Sequence, residues 1–417
     1  MLSKIIAIIL ALWTMIAGLF GFGPPKPADV MKDCYPIVFV HGLGGWGEGA
    51  ALNNVLPHWG MFAGNMSDYL ASEGYETYAV SVGPVSSAWD RACELYAQLA
   101  GATVDYGAAH SAEHGHNRYG LAYEKLVPEW DAENKIHMIG HSFGGATVRL
   151  FTQLCEEGSA VEIADAAADI SPLFTGELSG SIASITTLAA PHNGAAILSP
   201  AVESGSTGAL DIAFGMLVVM GELVPEVNRI YPFRLEHFGM SNADLRRDPI
   251  GTVKKYSAFN SGTDNSNYDL SIDGAYALNQ TIDCQSDIYY FSFVGQKSEP
   301  DDAGNYIPKS DMWFFFKEPS KSIGLKHEPF LTDCGIIIDD SWLPNDGLVS
   351  VVSAEYPFSE PYKTYDENNI EKGKWQVMPL LEDYDHLDFA GGMKIGGTPG
   401  IKDFYLNIAQ ILESISD

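Results

Sequence analysis

The stretch that most constrains this chain runs from Lys135 to Leu150: Lys135-Ile-His-Met-Ile-Gly140-His141-Ser142-Phe143-Gly144-Gly145-Ala-Thr-Val-Arg-Leu150. An apolar run enters a Gly-x-Ser-x-Gly turn, and helix-forming residues leave it. Gly140 and Gly144 flank a turn too tight for side chains, which puts the serine between them in strained backbone. Gly145 and Ala146 let the helix lie close to its neighbours. The helix N-terminus aims free N–H groups at a reacting oxygen. A chain with 42 glycines produces such a pentapeptide by chance. The strand before it and the helix after it are what make it a nucleophile elbow, with Ser142 as the nucleophile. The plainer alternative is a Gly-rich turn with an inert serine.

Upstream, Tyr35-Pro-Ile-Val-Phe-Val40 reads as a buried strand that runs into His41-Gly42-Leu43-Gly44-Gly45-Trp46-Gly47. A His-Gly-x-Gly loop after an early strand is where an elbow of this kind finds half of its oxyanion hole. The expected donors are the backbone N–H groups of Leu43 and of Phe143, each worth roughly 3–4 kcal/mol of transition-state stabilisation. Further strands are expected at Glu76–Ser81, Ile185–Ala190, Asp287–Phe293 and Trp375–Met378, with helical stretches such as Asp90–Leu99 between most of them. Strands alternating with helices predict an α/β fold: a mostly parallel central sheet covered by helices on both faces.

Chain order then selects the partners of Ser142, because in this architecture the acid follows the serine and the histidine follows the acid. His192, His237, His327 and His386 follow the elbow. Pro344-Asn345-Asp346-Gly347 is a turn flanked by apolar residues, and His386 alone lies beyond it. Ser142, Asp346 and His386 are therefore the expected triad, with Asp339 and Asp340 as rival acids. His386 would take the serine proton and return it to the leaving alcohol, while Asp346 orients the imidazole.

The net charge of −30 makes a phosphate backbone an unfavourable partner and a neutral or apolar substrate a better one. The same charge also serves to keep an exported protein in solution. Lys4 precedes an apolar run, Ile5–Phe22, which reads as a secretion signal over residues 1–23, with a retained membrane anchor as the alternative. Pro24-Pro25-Lys26-Pro27 makes residues 24–33 a stiff linker, leaving residues 34–417 as one domain. Cys34, Cys93, Cys155, Cys284 and Cys334 are scattered and odd in number, so at most two bridges are expected.

A second constellation begins at Trp89-Asp90-Arg91 and continues through Val104-Asp-Tyr-Gly-Ala-Ala-His110-Ser-Ala-Glu-His114-Gly-His116. Closely spaced histidines among small residues suggest metal ligands, against the plainer reading of a solvated His-rich loop.

Gly83-Pro-Val-Ser-Ser-Ala-Trp89-Asp90-Arg91-Ala-Cys93, the run Thr103–His116, Tyr268-Asp269-Leu-Ser271, Trp342-Leu-Pro-Asn-Asp346-Gly and Asp385-His386-Leu together resemble the zinc-bearing thermoalkalophilic bacterial lipases and their staphylococcal relatives. The resemblance covers nearly the whole chain after the linker. It implies an α/β-hydrolase with a zinc-binding insertion, and carries over Asp90, His110, His116 and Asp269 as the ligands of a structural zinc, with His114 a bystander. It also implies a calcium site involving Asp388, although the second carboxylate of that site is missing near Met393. Phe143 stands where the family often has glutamine, and Leu43 where an aromatic is usual, so acyl-chain preference does not carry over. The apolar segment Leu210–Val227 corresponds to the family's lid, and otherwise reads as an ordinary buried helix.

These features predict an exported carboxylic ester hydrolase, foremost a triacylglycerol lipase acting at a lipid–water interface. A short-chain esterase or phospholipase uses the same machinery. Rivals of another class are a zinc-dependent hydrolase centred on the His110 cluster and a non-catalytic lipid-binding protein.

Overall fold

A computed structural model describes residues 28–165, 169–199 and 230–416. The apolar N-terminal run and the Leu210–Val227 segment expected as a lid lie outside the described residues.

Seven strands form the central sheet: β1 (Ile37–Val40), β2 (Thr77–Val80), β3 (Ile136–His141), β4 (Ile182–Leu188), β5 (Tyr289–Phe293), β6 (Tyr362–Thr364) and β7 (Trp375–Val377). Their spatial order is β6-β7-β5-β4-β3-β1-β2, and every adjacent pair is parallel. All the expected strands form. The addition is β6, an edge strand whose three residues, Tyr-Lys-Thr, are too short a pattern to stand out from a turn.

Alternation of side chains across a strand divides the core into two layers. Val38, Val40, Ile136 and Met138 face helices α1 (Ala88–Ala100) and α3 (Phe143–Glu157), which contribute Ala92, Leu95, Leu99, Val148, Phe151 and Leu154. Ile37, Phe39 and Ile139 face α5 (Ile401–Glu413) and the short helix Met66–Ser72, through Tyr405, Ile408, Leu412, Met66 and Leu70. Between α1 and β3 lies an insertion: a two-stranded antiparallel ribbon, Thr103–Asp105 with Tyr119–Ala122, enclosing helix α2 (Ala108–His114). Helix α4 (Ser266–Leu270) approaches the same region from later in the chain. All five cysteines are unpaired, Cys93 and Cys155 being buried in the core as small apolar groups.

Helix α3 sits against the ends of β1 and β4 at a spacing that side chains would forbid. A Cβ at Gly144 would stand 2.1 Å from the Val40 carbonyl oxygen, and one at Gly145 would stand 2.4 Å from the Ala190 Cβ. The first contact is with backbone, which cannot rotate away. Gly144→Ala is therefore expected to destabilise the fold by about 1–3 kcal/mol, read as a lower denaturant midpoint. An unchanged midpoint would show that the helix has room to withdraw.

Candidate active site

Ser142 sits at the tip between β3 and α3 with φ 55° and ψ −126°. Left-handed backbone at a non-glycine residue costs on the order of 1–3 kcal/mol and persists only where its surroundings enforce it. Here the Ser142 N–H donates to the Leu188 carbonyl at 2.8 Å, and the Gly145 N–H donates to the Ser142 carbonyl at 2.9 Å. The turn delivers Ser142 Oγ to within 2.8 Å of His386 Nε2. On the other side of the ring, His386 Nδ1 lies 2.8 Å from Asp346 Oδ2. Asp346 Oδ1 accepts the N–H groups of Leu348 at 2.9 Å and Val349 at 2.8 Å, so the carboxylate cannot swing. All three side chains are buried, with Ser142 the most accessible at 8%. The rival acids point elsewhere: Asp339 accepts from Ser341, and Asp340 pairs with Lys326 at 3.1 Å.

The histidine is also held by its backbone. Its N–H donates to the Asp346 carbonyl at 3.0 Å, and its carbonyl accepts from His141 Nε2 at 2.8 Å. Burial, reinforced by His386 and His58, keeps the His141 imidazole neutral, well below the usual histidine range. His58 lies behind it, edge-on to Trp46, Trp59 and His41, and burial pushes it down to about 3. These buried rings form a neutral wall behind the His386 imidazole.

The oxyanion loop is set by His41. Its Nε2 accepts the Val82 N–H at 3.1 Å, which leaves the proton on Nδ1, 2.9 Å from the Gly42 carbonyl. A trans peptide carries its N–H opposite its carbonyl. Holding the Gly42 carbonyl on His41 therefore aims the Leu43 N–H the other way. Gly42 lies against the nucleophile, since a Cβ there would meet Ser142 Cβ at 2.7 Å. Arg91, fully buried, ties the parts together: it donates to the carbonyls of His41 and Gly83 and to Thr147 on α3. The supporting roles of His58, His141 and Arg91 leave no signal in the sequence.

Away from the triad, Asp90, His110, His116 and Asp264 bring one ligand atom each to within 4.8 Å of one another. His110 Nε2 is 3.4 Å from Asp90 Oδ1 and 3.3 Å from Asp264 Oδ1, and His116 Nε2 is 3.3 Å from Asp264 Oδ2. Those atoms are buried and have no hydrogen-bond partner among the described residues. Converging, unpartnered donors of this kind fit a metal ion. The sequence placed Asp269 in this set, and the structure corrects it to Asp264. Asp269 Oδ2 instead accepts the N–H of Ala88 at 2.7 Å, capping the first turn of α1. The two residues flank the start of α4, which turns their side chains in different directions. His237, also missed, donates from Nε2 to Asp90 Oδ2 at 2.8 Å and orients that carboxylate. His114 stays outside, its ring 4.5 Å from that of His110.

Asp388 shows the opposite pattern. Its Oδ1 accepts from Thr398 Oγ1 at 2.6 Å, and its Oδ2 accepts from the Asp385 N–H and from Lys297 Nζ, both at 2.8 Å. No oxygen is left over, and the residues present do not fit a calcium ion. For the first cluster, Asp264→Ala is expected to lose the bound metal while Asp269→Asn keeps it, as measured by elemental analysis of the purified proteins. Full metal content in the Asp264 variant would remove that residue from the ligand set.

A family model described as the lipase-like, C-terminal domain matches residues 33–414. Lipase 2 of Staphylococcus aureus is 36% identical over 367 residues, covering 86% of this chain and 50% of its own. The crystal structure of Staphylococcus hyicus lipase superposes with a TM-score of 0.80 at 33% identity, covering 94% of this chain and 98% of that one. EstA from Clostridium botulinum superposes with a TM-score of 0.79 at 34% identity, covering 94% and 91%. The chain spans about half the length of the curated staphylococcal relatives it matches. Its seven-stranded parallel sheet is that of an α/β-hydrolase, and the chain belongs to the lipase-like C-terminal domain family.

Proposed function

We propose that this chain is an exported carboxylic ester hydrolase, a triacylglycerol lipase that works through an acyl-enzyme on Ser142. The observation that carries the reading is the unbroken relay from Asp346 through His386 to Ser142, with both contacts at 2.8 Å. His386 Nε2 takes the proton as Ser142 Oγ attacks the ester carbonyl. The N–H groups of Leu43 and Phe143 receive the oxygen on which negative charge develops. His386 then gives its proton to the departing alkoxide, leaving the acyl group on the serine. Water, deprotonated by the same histidine, attacks the acyl-enzyme; the bond to Ser142 Oγ breaks, the serine oxygen takes the proton back from His386, and the acid departs.

Asp90, His110, His116 and Asp264 would hold a zinc ion. Two histidines and two carboxylates supply four protein donors and no open position, so its role is to clamp the insertion between α1 and β3 to α4. No step of ester hydrolysis passes through it.

The substrate assignment rests on charge and on exposed aromatic surface. A net charge of −30 favours an uncharged ester over an anionic one. The run Trp313-Phe314-Phe315-Phe316 reaches from solvent to the active site: Phe314 and Phe315 are 66% and 57% exposed, and the Phe316 ring is 6.1 Å from that of His386. Large exposed aromatics beside a catalytic group suit contact with a lipid surface. Export is supported by the apolar run Ile5–Phe22, and an intact-mass measurement of the mature protein that still includes residues 1–23 would remove the cleavage part of the proposal.

Ser142→Ala and His386→Ala are expected to lower turnover of a soluble ester by about 10⁴-fold or more, and Asp346→Asn by roughly 10²–10⁴-fold. Near-wild-type turnover in any of the three would end the triad assignment. A serine-directed phosphonate should label Ser142 and stop turnover, whereas chelation should chiefly lower the melting temperature. Turnover lost on chelation while the fold stays intact would favour a metal-dependent hydrolase. Phe314→Ser with Phe315→Ser should reduce hydrolysis of emulsified triglyceride and leave a soluble short ester unaffected. Equal losses on both substrates would deny the aromatic run a role at the interface.

A further inference from the structure

Lys297 is 1% exposed, although it carries a full charge at the end of a long flexible side chain. A lysine that deep is held there only by compensating charge. Its Nζ lies 2.8 Å from Asp388 Oδ2, 3.4 Å from Asp311 Oδ2 and 3.9 Å from Asp385 Oδ2. Burial alone would pull the ammonium's pKa down. The hydrogen bond to Asp388 and the nearby carboxylates outweigh it and hold the group above the ordinary lysine value.

The location matters more than the pairing. Asp385 and Asp388 bracket His386 in the chain, so the Lys297 side chain grips the loop that presents the catalytic imidazole. The backbone of the same residue grips the other half of the relay, since the Lys297 N–H donates to the carbonyl of Asn345, next to Asp346, at 3.0 Å. Ser298 Oγ adds a second tie, accepting the Asn345 N–H at 2.9 Å and donating to its carbonyl at 3.0 Å. One residue thus bridges the acid loop and the histidine loop. Every oxygen of Asp388 is satisfied without a bound ion, in contrast to the orphaned donors around Asp90 and Asp264.

We propose that the Lys297 ammonium occupies the place of a loop-bracing calcium ion, as a positioning residue for His386 and Asp346, so that this hydrolase neither binds nor needs calcium at that loop. The proposal rests on the reading of His386 as the catalytic base. Its binding and stability arms, however, are read without turnover, so they stand even if the esterase assay fails.

The test uses the full chain with its metal cluster loaded, in calcium-free buffer and with millimolar calcium chloride. Wild type should show the same melting temperature and kcat in both, and equilibrium dialysis with radioactive calcium should show no stoichiometric binding. Lys297→Ala should lose about 10–100-fold in kcat with KM unchanged, because the imidazole is misplaced rather than the substrate released. Calcium, or propylammonium filling the space left by the side chain, should restore part of that loss. Lys297→Met, which keeps the bulk and removes the charge, should show the kcat loss without rescue by propylammonium. One calcium bound by wild type with a raised melting temperature would overturn the proposal, even if the variants fail to fold. So would a Lys297→Ala protein with wild-type kcat in calcium-free buffer, or one whose kcat neither cation restores.

Discussion

The strained turn at Ser142 is the constraint on which the rest of the structure depends. A serine held at φ 55° is unfavourable by itself, and the sheet and helix on either side of it hold it there. β3 supplies six buried residues leading into the turn, and α3 leaves it with its first residues pressed against β1 and β4. The glycines at 140, 144 and 145 are the local condition for that packing. Gly42 on the neighbouring loop is the same condition seen from the oxyanion side, where a side chain would collide with the nucleophile. Strain, close packing and the placement of Ser142 are one arrangement.

The His386 and Asp346 half of the hydrogen-bonded relay is secured differently. His386 and Asp346 lie on loops rather than at a strained strand end, and loops need ties. The imidazole is held through its ring by Asp346 and through its backbone by Asp346 and His141. Lys297 joins the two loops through its backbone and side chain. Neutral buried histidines at 41, 58 and 141 surround this corner because burial makes their charged forms unfavourable. The buried Arg91 guanidinium beside His41 adds to that effect, its positive charge further disfavouring protonation of His41 and His58.

How far the sequence reads depends on whether a residue's role is local. The elbow was legible because strand, turn and helix follow one another within sixteen positions. The convergence of Ser142, Asp346 and His386 was legible because chain order leaves a single histidine after the Asp346 turn. Asp90, His110 and His116 were legible from spacing and resemblance, but the fourth member of their cluster was not. Asp264 and Asp269 are both acids at the same short helix, and only the packing of α4 against α1 decides which reaches the histidines and which caps Ala88. The edge strand β6 is not legible in the sequence because its pairing partner, not its own pattern, makes it a strand.

By itself, then, the sequence determined the sheet's buried strands, the turn that holds Ser142 and the two side chains that meet it, because each is written in a short run or in linear order. Only the tertiary structure decided which of two neighbouring carboxylates joins His110 and His116, that His237 bonds to Asp90, and that Lys297 pairs with Asp388. Those outcomes depend on which side chains meet after segments far apart in the chain have packed. Long-range proximity of charge leaves no periodicity or spacing to read.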